Sequence, residues 1–243
     1  MNALDLVIEY PNAFPDDLCD EIVERFDKDE NVSKGWNGLY GPDTTTTKLS
    51  YDLMITGRST WSDVDSKLYD ILSPYIRNYT EMLKTQFLFE ETGYIKDLGY
   101  QIQKTEPGGY FSWHTDDNTE IITDQMYSTG VNRMAHCARN RIFTYILYLN
   151  DRYEYEDGQT EFRFGEENTK MVRPEKGKLI LFPANPFYPH RGVPLENGVK
   201  YLMTGWVVRD MIYAVEESPD DYYERKERYS TPEYSYLTLV DNQ

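Results

Sequence analysis

Two cysteines, Cys19 and Cys137, stand far apart in 243 residues. That count excludes a cysteine-built zinc finger and argues against a disulfide framework, so a reduced, cytoplasmic setting is expected. Basic charge is short as well. Lys and Arg number 25 against 42 Asp and Glu, a formal net charge of −17, and no stretch gathers basic residues into a patch. A surface of that sign repels phosphate backbones, which argues against nucleic acid as the main partner. No apolar run is long enough to cross a bilayer, and Met1-Asn-Ala-Leu-Asp-Leu has neither the basic nor the apolar region of a signal peptide. The expectation is no membrane span and no membrane partner. No internal repeat is visible, and histidine is limited to His114, His136 and His190.

Aromatic residues are plentiful by contrast, with 22 Tyr, which suits strands and a walled pocket. The length allows one large domain or two small ones. Residues 4–10 read as a strand. Pro15 then opens a helix whose first turn is acidic and whose Leu18, Ile22 and Phe26 recur at helical spacing. Residues 31–47 look like a long loop, followed by a strand near 49–56. The clearest helix is 62–83, with Val64, Leu68, Leu72, Tyr75, Tyr79 and Met82 on one face and Pro74 expected to kink or divide it. From 98 the texture changes to short β-prone runs and turns, at 99–104, 142–149, 160–164, 170–173, 178–182 and 199–208. Residues 117–137 show weak periodicity and read as a mobile flap.

This pattern predicts a mainly β protein with flanking helices, an antiparallel sandwich or jelly roll. Three segments are expected: an N-terminal strand with supporting helices at 1–97, the β core at 98–213, and an acidic, Tyr-rich tail at 214–243.

Chemistry concentrates in Glu106-Pro-Gly-Gly-Tyr-Phe-Ser-Trp-His114-Thr-Asp116. A turn delivers the chain into an aromatic run that ends in an imidazole and a carboxylate two residues apart. At a strand end, period-2 alternation puts His114 and Asp116 on one face, close enough to share a metal ion. A His-x-Asp pair is common by chance. It gains weight from Pro189-His190-Arg-Gly-Val-Pro-Leu-Glu-Asn-Gly-Val-Lys200, a second histidine after a Pro-rich turn with a lysine on the next strand. Two imidazoles and one carboxylate make the facial triad of non-haem Fe(II) oxygenases.

In these blocks the sequence resembles the Fe(II)/2-oxoglutarate dioxygenases, in their prolyl 4-hydroxylase-like branch. The same order continues through Arg141-Ile-Phe-Thr-Tyr-Ile-Leu-Tyr148, Asp157-Gly-Gln-Thr160, Pro174-Glu-Lys-Gly-Lys-Leu-Ile-Leu-Phe182 and Trp206, covering about 98–208. The resemblance implies a double-stranded β-helix core. It implies that His114, Asp116 and His190 bind Fe(II) and carry catalysis, that Lys200 holds the far carboxylate of 2-oxoglutarate, and that O2 takes the remaining position. It implies that Tyr148 and Thr160 line the cosubstrate pocket, although each could be an ordinary satisfied core residue. Arg141, Trp206 and Phe111 match substrate-side positions, and ascorbate would serve as reductant. The implied substrate is a prolyl residue in a peptide or protein.

The chain departs from the family at two places. Thr105 and Phe111 stand where relatives often carry Tyr, and Phe111 cannot donate a hydrogen bond. Other readings stay open. A free amino acid hydroxylase of the same superfamily would need a salt-bridging pocket, for which Arg141 and Arg191 are candidates. A non-catalytic β-sandwich that binds another protein is a third reading, opposed by the complete set of His114, Asp116, His190 and Lys200.

Overall fold

The computed structural model describes residues 3–35, 47–87, 94–128, 131–152, 157–166 and 168–215. Contacts divide the chain into two compact units, one of Met1–Asn118 and Arg141–Arg209, the other of Thr119–Asn140 and Asp210–Gln243. The expected tail, beyond 215, lies outside the described residues, as does 36–46 of the expected loop.

The first unit opens with a 3-10 turn, Ala3–Leu6, then β1 (Ile8–Tyr10), α1 (Asp16–Lys28), β2 (Ser33–Lys34), β3 (Lys48–Leu49) and β4 (Tyr51–Met54). It continues with α2 (Ser62–Phe87), β5 (Tyr94–Asp97), β6 (Gln101–Thr105) and β7 (Tyr110–His114). In the second unit, β8 (Thr119–Ser128) pairs antiparallel with the opening half of β9 (Val131–Tyr148), from Thr119 opposite Asn140 to Ser128 opposite Val131. The remaining strands are β10 (Thr160–Phe164), β11 (Asn168–Val172), β12 (Leu179–Pro183), β13 (His190–Gly192) and β14 (Lys200–Val215).

Two antiparallel sheets form the first unit. The larger runs β1-β12-β9-β14-β6-β4-β2, with β5 also on β14, and the smaller runs β11-β10-β13-β7-β3. The jelly-roll expectation is met. Period-2 alternation assigns the two faces of the larger sheet. Leu179 and Leu181 of β12, Tyr145 and Leu147 of β9, and Tyr201 and Met203 of β14 pack with the helices. Ile180, Phe182, Ile146, Tyr148 and Leu202 turn the other way and join Phe162 of the smaller sheet in a second core cluster. A strand buried on both faces loses the apolar–polar alternation that marks a half-exposed one.

Three local expectations change. Residues 4–10 do not form one strand, because Val7 N donates to Leu4 O at 3.1 Å and closes a turn first. Pro74 does not divide its helix. It sits on the exposed side of α2, where water can satisfy the Asp70 carbonyl that loses its donor. Residues 117–137 are not without regular structure. The β8–β9 ladder occupies most of the stretch, and a two-stranded ribbon needs no apolar face to set its hydrogen bonding. On the helices the sequence pattern holds. Leu18, Ile22 and Phe26 of α1 are buried, joined by Cys19, as are Val64, Leu68, Leu72 and Tyr79 of α2.

Candidate metal and cosubstrate site

The site lies between the sheets. β7 and β13 pair antiparallel with His190 opposite His114, and a register shift follows before Gly192 meets Phe111. Residues opposed across a ladder project to the same face, so the pairing brings two imidazoles together from distant sequence. Their ring centroids are 4.2 Å apart. Asp116, two residues past His114, sits between them, with Oδ1 3.7 Å from His114 Nε2 and Oδ2 3.7 Å from His190 Nε2. One ligand atom from each of the three lies within 4.8 Å of the others.

Each ligand candidate is oriented by a second contact. His114 Nδ1 donates to Ser112 O at 2.8 Å and His190 Nδ1 to Tyr188 O at 3.1 Å. Those bonds set the tautomer that leaves both Nε2 lone pairs facing the carboxylate, as a metal requires. Thr144 Oγ1 donates to Asp116 Oδ2 at 2.8 Å. Burial, and then the neighbouring His190, pulls the His114 imidazole down to about 4, so it is neutral at pH 7 and able to ligate. Phe111 stacks on His114 with centroids 3.6 Å apart and planes inclined by 17°. This donor set, two imidazoles held by their Nδ1 bonds and a carboxylate held by Thr144, fits Fe(II).

Around it opens a cleft that also takes in Thr160, Lys200, Trp206, Ile146, Leu202 and Gly192. Lys200 is 4% exposed and donates to Gly158 O at 2.8 Å. Among the described residues it forms no ion pair, and burial followed by nearby Arg152 lowers its ammonium to about 8. Arg152 is itself bound to Asp157. A buried ammonium with only a carbonyl partner fits an incoming carboxylate. Thr160 lines the cleft, while Tyr148 is fully buried behind it and donates to Thr160 Oγ1 at 2.7 Å. Tyr148 therefore bears on the cleft through Thr160.

On the substrate side, the Arg141 guanidinium lies 3.8 Å from the Trp206 ring centroid, and Trp206 and Phe111 both line the cleft. Thr105 lines it too, opposite Lys200 in the β6–β14 ladder. Arg191 does not. Its neighbour His190 faces the cleft, while Arg191 binds Glu161 at 2.6 Å and covers Trp113. Of the two cations that an amino acid pocket would use, one is committed elsewhere. His136 lies on β9 opposite Thr123, in the second unit.

Several neighbours went unread in the sequence. Thr144 was legible only as one residue of a β-prone run. Lys48, Ser50 and Gln103 line the cleft from β3, the residue after it and β6, and a two-residue strand such as β3 has no periodicity to detect.

Residues 100–208 match the family model of the 2OG-Fe(II) oxygenase superfamily. That match takes in His114, Asp116, His190 and Lys200. A PKHD-type hydroxylase of Synechococcus sp. (strain CC9605) is 24% identical over 106 residues, which is 44% of this chain and 40% of that relative. The match therefore spans well under half of the curated relative's length. Two solved structures share the fold. A prolyl hydroxylase from Trichoplax adhaerens, in complex with a hypoxia inducible factor oxygen degradation domain peptide fragment, superposes with a TM-score of 0.60 at 15% identity, over 95% of this chain and 90% of that one. A prolyl-4-hydroxylase from Pseudomonas putida gives 0.57 at 18% identity, over 84% and 93%.

Proposed function

We propose that this chain is an Fe(II)- and 2-oxoglutarate-dependent dioxygenase that hydroxylates a prolyl residue in a peptide or protein. The observation that carries it is one cleft holding His114, Asp116 and His190 in ligating array together with Lys200, a buried ammonium that forms no ion pair among the described residues. His114 and His190 present Nε2, held by their Nδ1 bonds to Ser112 and Tyr188 carbonyls, and Thr144 fixes the Asp116 carboxylate. Lys200 anchors the distal carboxylate of 2-oxoglutarate, with Thr160, steadied by Tyr148, as a hydroxyl beside it. Bound Fe(II) with 2-oxoglutarate and O2 supplies oxidation of a C–H bond to C–OH, coupled to decarboxylation of the cosubstrate to succinate and CO2. Ascorbate is the reductant we propose for keeping the iron ferrous.

The prolyl reading rests on the walls. Phe111, Trp206, Ile146 and Leu202 offer apolar faces, and a pyrrolidine ring, which carries no donor, suits them. An extended proline-rich segment also loses less entropy on entering a groove than a folded loop does. Arg191, tied to Glu161 away from the cleft, weakens the free amino acid alternative. The test is succinate release from 2-oxoglutarate with Fe(II), with and without proline-rich peptides, followed by mass spectrometry. A gain of one oxygen on prolyl peptides is expected. Product on free amino acids alone would overturn the substrate assignment and leave the iron chemistry standing.

A further inference from the structure

The cleft contains a second buried ammonium that the reading above does not use. Lys48, 3% exposed, lines it and pairs with Asp52 at 2.6 Å, both side chains almost wholly inaccessible. Desolvating two charges is expensive, and apolar residues of similar size commonly serve stability as well or better, so the pair calls for another explanation. Its surroundings are ordered in one direction. Ser50 Oγ donates to Asp52 Oδ1 at 2.8 Å, Gln101 Nε2 to Asp52 Oδ2 at 3.3 Å, and Gln103 Nε2 to Gln101 Oε1 at 3.0 Å. Every donor in this chain runs toward Asp52, which leaves two groups at the cleft wall with capacity to spare. Lys48 Nζ donates one of its three N–H bonds to Asp52, and the ammonium stands 5.0 Å from the centroid of the Phe111 ring. Gln103 uses one N–H of its amide on Gln101 and keeps the Oε1 acceptor.

We propose that Lys48 and Gln103 form a subsite for one peptide group of the substrate, with Lys48 Nζ donating to its carbonyl oxygen and Gln103 Oε1 accepting from its N–H. This rests on the peptide-hydroxylase reading and deepens it. The Lys48–Asp52 pair carries no net charge, so it answers a neutral amide better than a carboxylate, and it differs in this from Lys200, which donates to the Gly158 carbonyl and forms no ion pair among the described residues. The subsite also places a donor beside Phe111, which has none of its own. A peptide bond into proline has no N–H. The first group that satisfies both Lys48 and Gln103 is therefore the one joining the reacting proline to the residue after it.

The test uses the full chain with Fe(II), 2-oxoglutarate and a panel of capped proline-rich peptides, each with glycine after one proline. A matched panel replaces that glycine by N-methylglycine. Lys48→Met should raise the peptide KM about tenfold to a hundredfold, the weight of a hydrogen bond to a charged group, while the KM for 2-oxoglutarate stays at the wild-type value. N-methylation should raise KM in the wild type and have no further effect in Gln103→Met. Should Lys48→Met fail to fold because Asp52 is left unpaired, the neutral pair Lys48→Met/Asp52→Asn takes its place with the same expected result. Peptide KM values unchanged in the variants overturn the subsite and leave the prolyl reading intact. A rise confined to 2-oxoglutarate overturns it by assigning Lys48 to the cosubstrate. If no peptide stimulates the wild type while free amino acids do, the subsite and the prolyl reading fall together.

Discussion

Replacing Lys200 by Met should make the chain more stable and nearly useless to its cosubstrate. The ammonium is 4% exposed and titrates near 8 rather than at 10.5. At 1.36 kcal/mol per tenfold, its charged form is disfavoured in the fold by about 3 kcal/mol. The unfolded lysine holds its proton to about 10.4 and the folded one gives it up near 8. Unfolding therefore takes up protons between those values, and stability without cosubstrate rises as pH climbs through that window. Methionine has a similar length and no charge, so it removes both the penalty and the dependence.

In thermal denaturation at pH 7 without ligands, Lys200→Met should melt higher by roughly 6–12 °C, taking about 3 kcal/mol and the usual size scaling. The functional loss runs the other way. A buried carboxylate left without its counter-charge forfeits about 2–5 kcal/mol, so the KM for 2-oxoglutarate should rise at least about thirtyfold. In the wild type that KM should climb above pH 8 as the ammonium deprotonates, and in the variant it should be flat across the same range. A variant that melts lower at pH 7 and keeps the wild-type KM would refute the reasoning on both counts.

The remaining expectations concern the ligands, their support and the fold. His114→Ala should abolish metal binding and turnover, whereas His136→Ala should retain the metal; equal loss in the two, measured by metal titration, would break the ligand assignment. Thr144→Val removes the donor to Asp116 Oδ2 and should weaken metal affinity about 10- to 100-fold without changing the apparent KM for peptide. Pro74→Ala, on the exposed side of α2, should stabilise the chain by about 1–3 kcal/mol, read from denaturant midpoints, since the ring packs against little and blocks one helical hydrogen bond.

Much of the fold was legible because it is written in periods. The helix stripes of α1 and α2 and the β-prone runs at β9, β10, β12 and β14 follow local patterns that burial reproduces. The β7–β13 ladder was not legible in this way. β13 has three residues, and its pairing with β7 is a long-range register that no local window contains. His114, Asp116, His190 and Lys200 could be singled out because their types and order are distinctive. Lys48 could not, since a lysine on a two-residue strand reads as an ordinary solvated side chain until the structure buries it against Asp52. That Pro74 does not divide α2 was illegible for a related reason. The sequence shows the missing donor but not which side of the helix faces water.

The charges in the cleft also bear on what enters it. Taken by itself it contains the Asp116 carboxylate, the Lys200 ammonium and a Lys48–Asp52 pair that cancels internally, with His114 neutral. A divalent metal alone would leave this cleft doubly positive and buried, a state that draws a dianion strongly where the dielectric is low. Addition of 2-oxoglutarate, with its two carboxylates, would return the balance to zero. Whatever binds third then meets walls without net charge, where a zwitterion would have to shed its hydration with Arg191 tied to Glu161. A neutral prolyl segment enters without that penalty, and its amide groups can use Lys48 and Gln103. The same electrostatics that make Lys200 costly to fold thus favour an uncharged substrate once metal and cosubstrate are in place.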